Sequence, residues 1–200
     1  RGFLGEHRLE FASIDVTEDE GAARWEASGR PIVPSLVVDG AAVPILHESQ
    51  LASLLGLAAP AGPTSSRTAG DTITVLTSWC TLIEPLDWET LTAPTRSRSR
   101  TLRNLTVNVF HPFELMPAAW REQRFEWDPD LDAQREATLE SPQAVVTYAS
   151  TIRDGWAGFV TDAGATFDDS DPLVGSPRGE LTFSRLLEQQ RWHAAFHHRQ

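Results

Sequence analysis

The chain has 200 residues, 40% of them apolar, enough for one large domain or two small ones with packed cores. Its 28 acidic side chains outweigh 17 basic ones, giving a formal charge of −11, which argues against binding nucleic acid through the phosphate backbone. The lone Cys80 excludes an internal disulfide or a Cys-x-x-Cys pair within these residues.

All 17 bases are arginine, a bias that speaks of GC-rich coding rather than of function. No run approaches the length of a membrane span and no signal peptide is apparent, so a cytoplasmic protein without a membrane partner is expected. Arg1 reads as mid-helix and Gln200 stands just past the last histidines, so the chain is expected to continue at both ends.

Residues 1–57 mix two periodicities. A helix end over Arg1–His7 precedes an alternating strand from Leu9 to Val16. Thr17, with Glu20 three residues on, has capping-box spacing for a helix reaching Ala27. Ser35–Val38 reads as a strand, Asp39-Gly40 as a tight turn and Ala42–Leu46 as its antiparallel partner. Val33-Pro34 marks the start of that strand, where a cis bond is one reading. Ser49–Leu57 closes the segment as a helix with Leu51, Leu54 and Leu55 inward. Residues 58–70, with Pro60, Gly62, Pro63, Thr64, Ser65 and Ser66, read as a linker.

From residue 71 to 200 the apolar residues recur at three or four. The spacing predicts helices over Asp71–Glu84 (Ile73, Leu76, Cys80, Ile83) and roughly Ser99–Trp120 (Leu102, Leu105, Val109, Phe113, Met116). Ser141-Pro142 supplies a cap and a first-turn proline for a third helix carrying Val145, Tyr148, Ile152, Trp156 and Phe159. A fourth covers Thr182–Gln200 with Leu186, Leu187, Trp192 and Phe196. Four such segments are what a four-helix bundle needs. The connections at 121–140 and 165–180 are long for an up-down bundle and are read as loops that roof one end. The expected architecture is therefore multidomain: an α/β segment, a linker, and an all-α bundle.

His193 and His197 share a helix face at four-residue spacing, and His111 falls in an earlier helix that can face them. Three imidazoles with open positions left over would be a catalytic rather than a structural metal geometry. The competing reading is a helix face whose rings meet local hydrogen-bond partners. His198 points about 100° away from His197 and is expected outside the site; His7 and His47 are assigned no role. Pro112 bends the helix beside His111, either to open room or for purely structural reasons. Arg96, Arg98, Arg100 and Arg103 form the densest basic run, suited to clamping carboxylates or phosphates or, more simply, to pairing with the acidic loops. Asp154 and Glu188 are candidate carboxylates for orienting a ligand histidine. Cys80, on a core face beside Trp79, is expected to be a buried thiol. No general base is assigned.

Two resemblances add to this. Residues 1–57, through Phe11–Val16, Ile32–Gly40 and Leu51–Gly56, resemble the later part of a glutaredoxin or thioredoxin-like domain. The resemblance implies that the family's first strand and redox-cysteine loop would lie before Arg1. The remaining edge would then be covered by the bundle, by a partner subunit in a homodimer, or by those earlier residues. Residues 68–200, through Arg100–Leu105, His111, His193, His197 and Arg199-Gln200, resemble the DinB-like superfamily. That resemblance implies a four-helix bundle with a divalent metal, zinc or nickel, on His111, His193 and His197. It further implies a transferase or isomerase that uses a low-molecular-weight thiol such as mycothiol with an electrophilic substrate; a non-enzymatic metal- or thiol-binding protein is the alternative.

Overall fold

The computed structural model describes residues 4–5, 7–16, 18–29, 35–45, 48–57, 64–95, 100–177 and 179–198, without the side chains of 44, 48 and 49. The chain separates into two compact units, Arg1–Gly62 and Pro63–Gln200.

In the first unit the elements are α1 (Asp19–Ala27), β1 (Ser35–Val38), β2 (Ala41–Pro44) and α2 (Glu48–Leu54). The strands pair antiparallel with Ser35 opposite Pro44 and Val38 opposite Ala41. Asp39 at φ 50° and Gly40 at φ 81° are both left-handed, as a two-residue hairpin loop matched to strand twist requires. The expected strand over Leu9–Val16 does not form. Phe11 and Ile14 are exposed, and among the described residues the sheet has only the strands β1 and β2, so this segment joins no ladder; Leu9 N donates instead to the Leu4 carbonyl and the Asp15 carbonyl accepts from Glu18 N. Alternation alone is insufficient. The last helix is also shorter than expected: it ends at Leu54, which faces solvent rather than the interior. Gly56 at φ 63° then turns the chain so that Leu57 N donates to the Ala52 carbonyl at 2.9 Å. Thr17, Ile32–Pro34 and His47 lie outside the described residues.

The second unit contains α3 (Ser65–Ile83), α4 (Trp88–Thr92), α5 (Leu102–Glu122), α6 (Pro129–Ala137), α7 (Pro142–Ala163), a 3-10 turn (Gly164–Thr166), β3 (Leu173–Ser176), β4 (Gly179–Thr182) and α8 (Phe183–His198). Residues 65–70, expected in the linker, are helical. Thr64 Oγ1 accepts from Arg67 N at 3.3 Å and Asp168 Oδ1 from Ser66 N at 3.0 Å. With its first amides satisfied, the helix starts early and carries Gly70 inside at a cost of about 1 kcal/mol.

The four long helices pack in a ring: α3 against α7 and α8, and α5 against the same two. Successive helices α3 and α5 therefore stand at opposite corners, as do α7 and α8. Each helix turns its periodic apolar residues inward, among them Leu76 and Ile83, Phe110 and Phe113, Val145 and Trp156, and Leu186 and Leu187. Each such side chain contributes about 1.5–3 kcal/mol on burial. Two tryptophans also tie the ring through hydrogen bonds. Trp79 Nε1 of α3 donates to the Ala194 carbonyl of α8 at 3.1 Å, and Trp156 Nε1 of α7 to the Ala69 carbonyl of α3 at 3.3 Å.

The expectation of an all-α second unit needs correcting. Residues 121–140 hold α6, and residues 165–180 lead into a hairpin whose Val174 is buried in the core. The hairpin is anchored because Gly175 N donates to the Gln123 carbonyl at 2.9 Å, and the Gly175 carbonyl accepts from Phe125 N at 2.8 Å. That pairing gives β3 a second neighbour and makes a four-residue strand worth forming. Asp171-Pro172 and Gly175-Ser176-Pro177 read as loop signals because they punctuate strands this short.

Candidate functional site

The sequence carries His193 and His197 one turn apart on α8, and the helix brings them together. Their Nε2 atoms lie 3.1 Å apart with the rings edge to face at 86°. Two nitrogens bound to one zinc-like ion at about 2.0–2.1 Å would stand roughly 2.9 Å apart at a right angle and roughly 3.4 Å apart at the tetrahedral angle. The observed separation falls between those limits and is equally that of a hydrogen bond from one ring to the other, the local partner of the competing reading. His197 is buried and His193 half-buried.

Neighbouring His198 is directed elsewhere, as its 100° offset requires. Its ring meets Trp79 edge on, with centroids 5.9 Å apart, and so packs α8 to α3. His7 sits in a turn.

His111 is on α5, the other helix against which α8 packs. It is 4% exposed, and its Nδ1 lies 2.6 Å from Asp132 Oδ1 of α6. Asp132 is 6% exposed, and its other oxygen accepts from Asn108 Nδ2 at 3.1 Å. A buried carboxylate is tolerated only when its lone pairs are met, and here an imidazole and an amide meet them. A carboxylate behind one ring nitrogen is also the arrangement that orients a metal-ligating histidine. The donor types present suit a divalent ion: imidazoles, one of them backed by a carboxylate. Among the described residues no group of three or more His, Cys, Asp or Glu side chains is placed so as to hold a metal ion. What is assembled is the His193–His197 pair, with His111 separately oriented on the neighbouring helix.

Asp132 and Asn108 escape a reading of the sequence for ligands, though both have signals. Asp128-Pro129 repeats the cap-plus-proline signature of Ser141-Pro142, and Asp128 Oδ1 accepts from Asp130 N at 2.8 Å to start α6. Asn108 stands three residues before His111 and therefore on its face. The two carboxylates expected to orient a histidine are engaged otherwise: Asp154 pairs with Arg153 at 2.7 Å and Glu188 with Arg185 at 3.7 Å.

The polar contact between α5 and α6 extends in both directions. Glu136 accepts from Asn104 Nδ2 at 2.6 Å and pairs with Arg103 at 3.1 Å, while Arg135 pairs with Glu114 at 2.6 Å. Arg103 thereby takes the plainer of its two expected roles, an internal ion pair rather than a substrate clamp, and it also lies over the Trp88 ring. Arg100 Nη1 donates to Asn108 Oδ1 at 3.3 Å. Arg96 and Arg98 lie outside the described residues.

Two other groups are unsuited to acid–base work. Burial, and after it the Glu114 charge, push the Tyr148 phenol well above its ordinary range. Burial likewise raises the Cys80 thiol, with the nearby Arg153 charge opposing; it behaves as core.

No protein-family profile, curated protein or solved structure matches this chain.

Proposed function

We propose that the second unit binds one divalent metal ion, zinc or nickel, through His111, His193 and His197, and that the protein uses it to act on a low-molecular-weight thiol. The 3.1 Å approach of the His193 and His197 Nε2 atoms carries this reading. The carboxylate behind His111 and the packing of its helix against α8 support it. The thiol, with mycothiol as the first candidate, and the electrophilic acceptor rest on the resemblance to the DinB-like superfamily and not on geometry. The reaction class is S-transfer or isomerisation, and the expected setting is the cytoplasm.

When bound, such an ion supplies a positive charge that favours the thiolate form of a thiol and polarises a carbonyl. The chain's own contribution is arrangement. His193 and His197 present two nitrogens from one helical turn, Asp132 fixes the His111 ring, and the burial of His111 and His197 keeps bulk water from both rings.

That same burial favours a second reading, in which the ion is held without turnover and the protein is a metal- or thiol-binding protein. Elemental analysis of the purified chain, then transfer assays with mycothiol, bacillithiol and glutathione, separates the two. One equivalent of metal and accelerated transfer support the enzyme. Metal without transfer from any of the three thiols supports the binding protein. Neither copurified metal nor uptake of added zinc or nickel overturns both.

A further inference from the structure

We infer that Asp132 is the positioning residue of His111, fixing which of its ring nitrogens carries the proton. A series of hydrogen bonds runs to this ring, and its direction is set at one end. Arginine can only donate. Arg100 Nη1 donates to Asn108 Oδ1, which turns the Asn108 amide so that its Nδ2 donates to Asp132 Oδ2. The Asp132 carboxylate is then accepting on Oδ2 and presents Oδ1 to His111 Nδ1 at 2.6 Å. An ionised carboxylate only accepts, so the ring must donate from Nδ1, and the lone pair of the neutral imidazole is left on Nε2. With Asp132 ionised, no group in this series can reverse its role without breaking the bond before it. The bearing of this on metal binding rests on the reading proposed above.

The network also predicts what an isosteric change does. In Asp132→Asn the new amide must still accept from Asn108, so its oxygen takes the Oδ2 position and its NH2 group faces His111. Nδ1 then has to accept, the proton moves to Nε2, and the lone pair is lost from the nitrogen that would bind metal. Shape and burial are kept while the tautomer is reversed. Removing the arginine releases the constraint. In Arg100→Ala/Asp132→Asn, Asn108 is free to turn its oxygen toward position 132, the amide introduced there can turn with it, and the Nδ1–H form becomes accessible beside the Nε2–H form.

Long-range proton–nitrogen correlation spectra of 15N-histidine-labelled, metal-free protein read the His111 tautomer directly, with circular dichroism checking the fold. Zinc affinity is measured beside them by competition with a chromophoric chelator. The expected result is the Nδ1–H form in the unsubstituted protein, the Nε2–H form in Asp132→Asn with zinc affinity about 10–100-fold weaker, and both forms together in the double variant. An unchanged tautomer in folded Asp132→Asn overturns the inference, and if the unsubstituted protein binds zinc it leaves the metal reading standing. A tautomer switch in a protein that never binds zinc does the opposite: the positioning role of Asp132 holds and the metal reading falls. If Asp132→Asn fails to fold, the unsubstituted protein still decides, because an Nε2–H form there overturns the inference.

Discussion

At the scale of single residues, the adjacent histidines at the end of α8 offer an internal control. His193 and His197 meet at their Nε2 atoms, whereas His198 packs its ring on Trp79. His193→Ala should therefore remove metal binding, and any thiol transfer with it, while leaving the core untouched. His198→Ala should leave metal binding intact and cost stability by about 0.5–1.5 kcal/mol, the worth of an edge-to-face ring contact. Zinc titration and urea unfolding of both variants check this. Equal loss of zinc from the two would mean that helix integrity, and not a ligand, is being measured. His111 is harder to isolate by truncation, because His111→Ala leaves Asp132 buried with one partner fewer. Such a group costs about 1–3 kcal/mol or more, so the tautomer experiment is the better probe of that position.

Among the elements, the N-terminus of α3 carries a contact that responds to acid. Asp168 receives the Ser66 amide at 3.0 Å and the Ser66 hydroxyl as well, and these bonds, the hydroxyl's first, hold its carboxyl below the ordinary range. Because the folded-state pKa is lower than the unfolded one, about 3.9, the contribution to stability is complete above that value. It is lost as pH falls through the folded pKa. The expected outcome is that Asp168→Asn lowers the urea midpoint at pH 7 and flattens its decline below about pH 4. Parallel pH profiles for the two proteins would remove Asp168 from the acid response. This same contact shows why the start of α3 is hard to read from sequence. Thr64-Ser65-Ser66 within a Pro- and Gly-rich stretch has the composition of a linker, and the partner that makes it a helix start lies 102 residues later. The long helices are legible because their apolar residues recur with the helical period and Thr101 and Ser141 cap them locally. The strand expected over Leu9–Val16 is a different case, since strands depend on neighbours that alternation does not reveal. At the candidate site the histidine pair can be read from spacing within one helix. The Asp132 partner of His111 comes from a segment that reads as loop until its Asp128-Pro129 start is noticed.

For the whole molecule, the two units differ in how much interior each has. Every residue of the hydrophobic core cluster lies between Ala69 and Ala194, within the second unit, and it includes two fully buried tryptophans, Trp79 and Trp156. Among the described residues of the first unit only Gly21 and Ala52 are buried, while Phe11, Ile14, Val37 and Leu54 stand more than 40% exposed. A chain of about 60 residues buries only about 60% of its unfolded surface and is marginal even with a good core. The fragment 63–200 should therefore fold by itself, with helical circular dichroism and one cooperative thermal transition. It should also keep the zinc affinity of the full chain, because His111, Asp132, His193 and His197 all belong to it. The fragment 1–62 should unfold without a cooperative transition. Zinc binding by the full chain that disappears from a folded 63–200 fragment would show that the first unit completes the site, and would shift the search for ligands to its residues. A cooperative transition in the 1–62 fragment would instead place a core among residues 1–62 that the described burial does not contain.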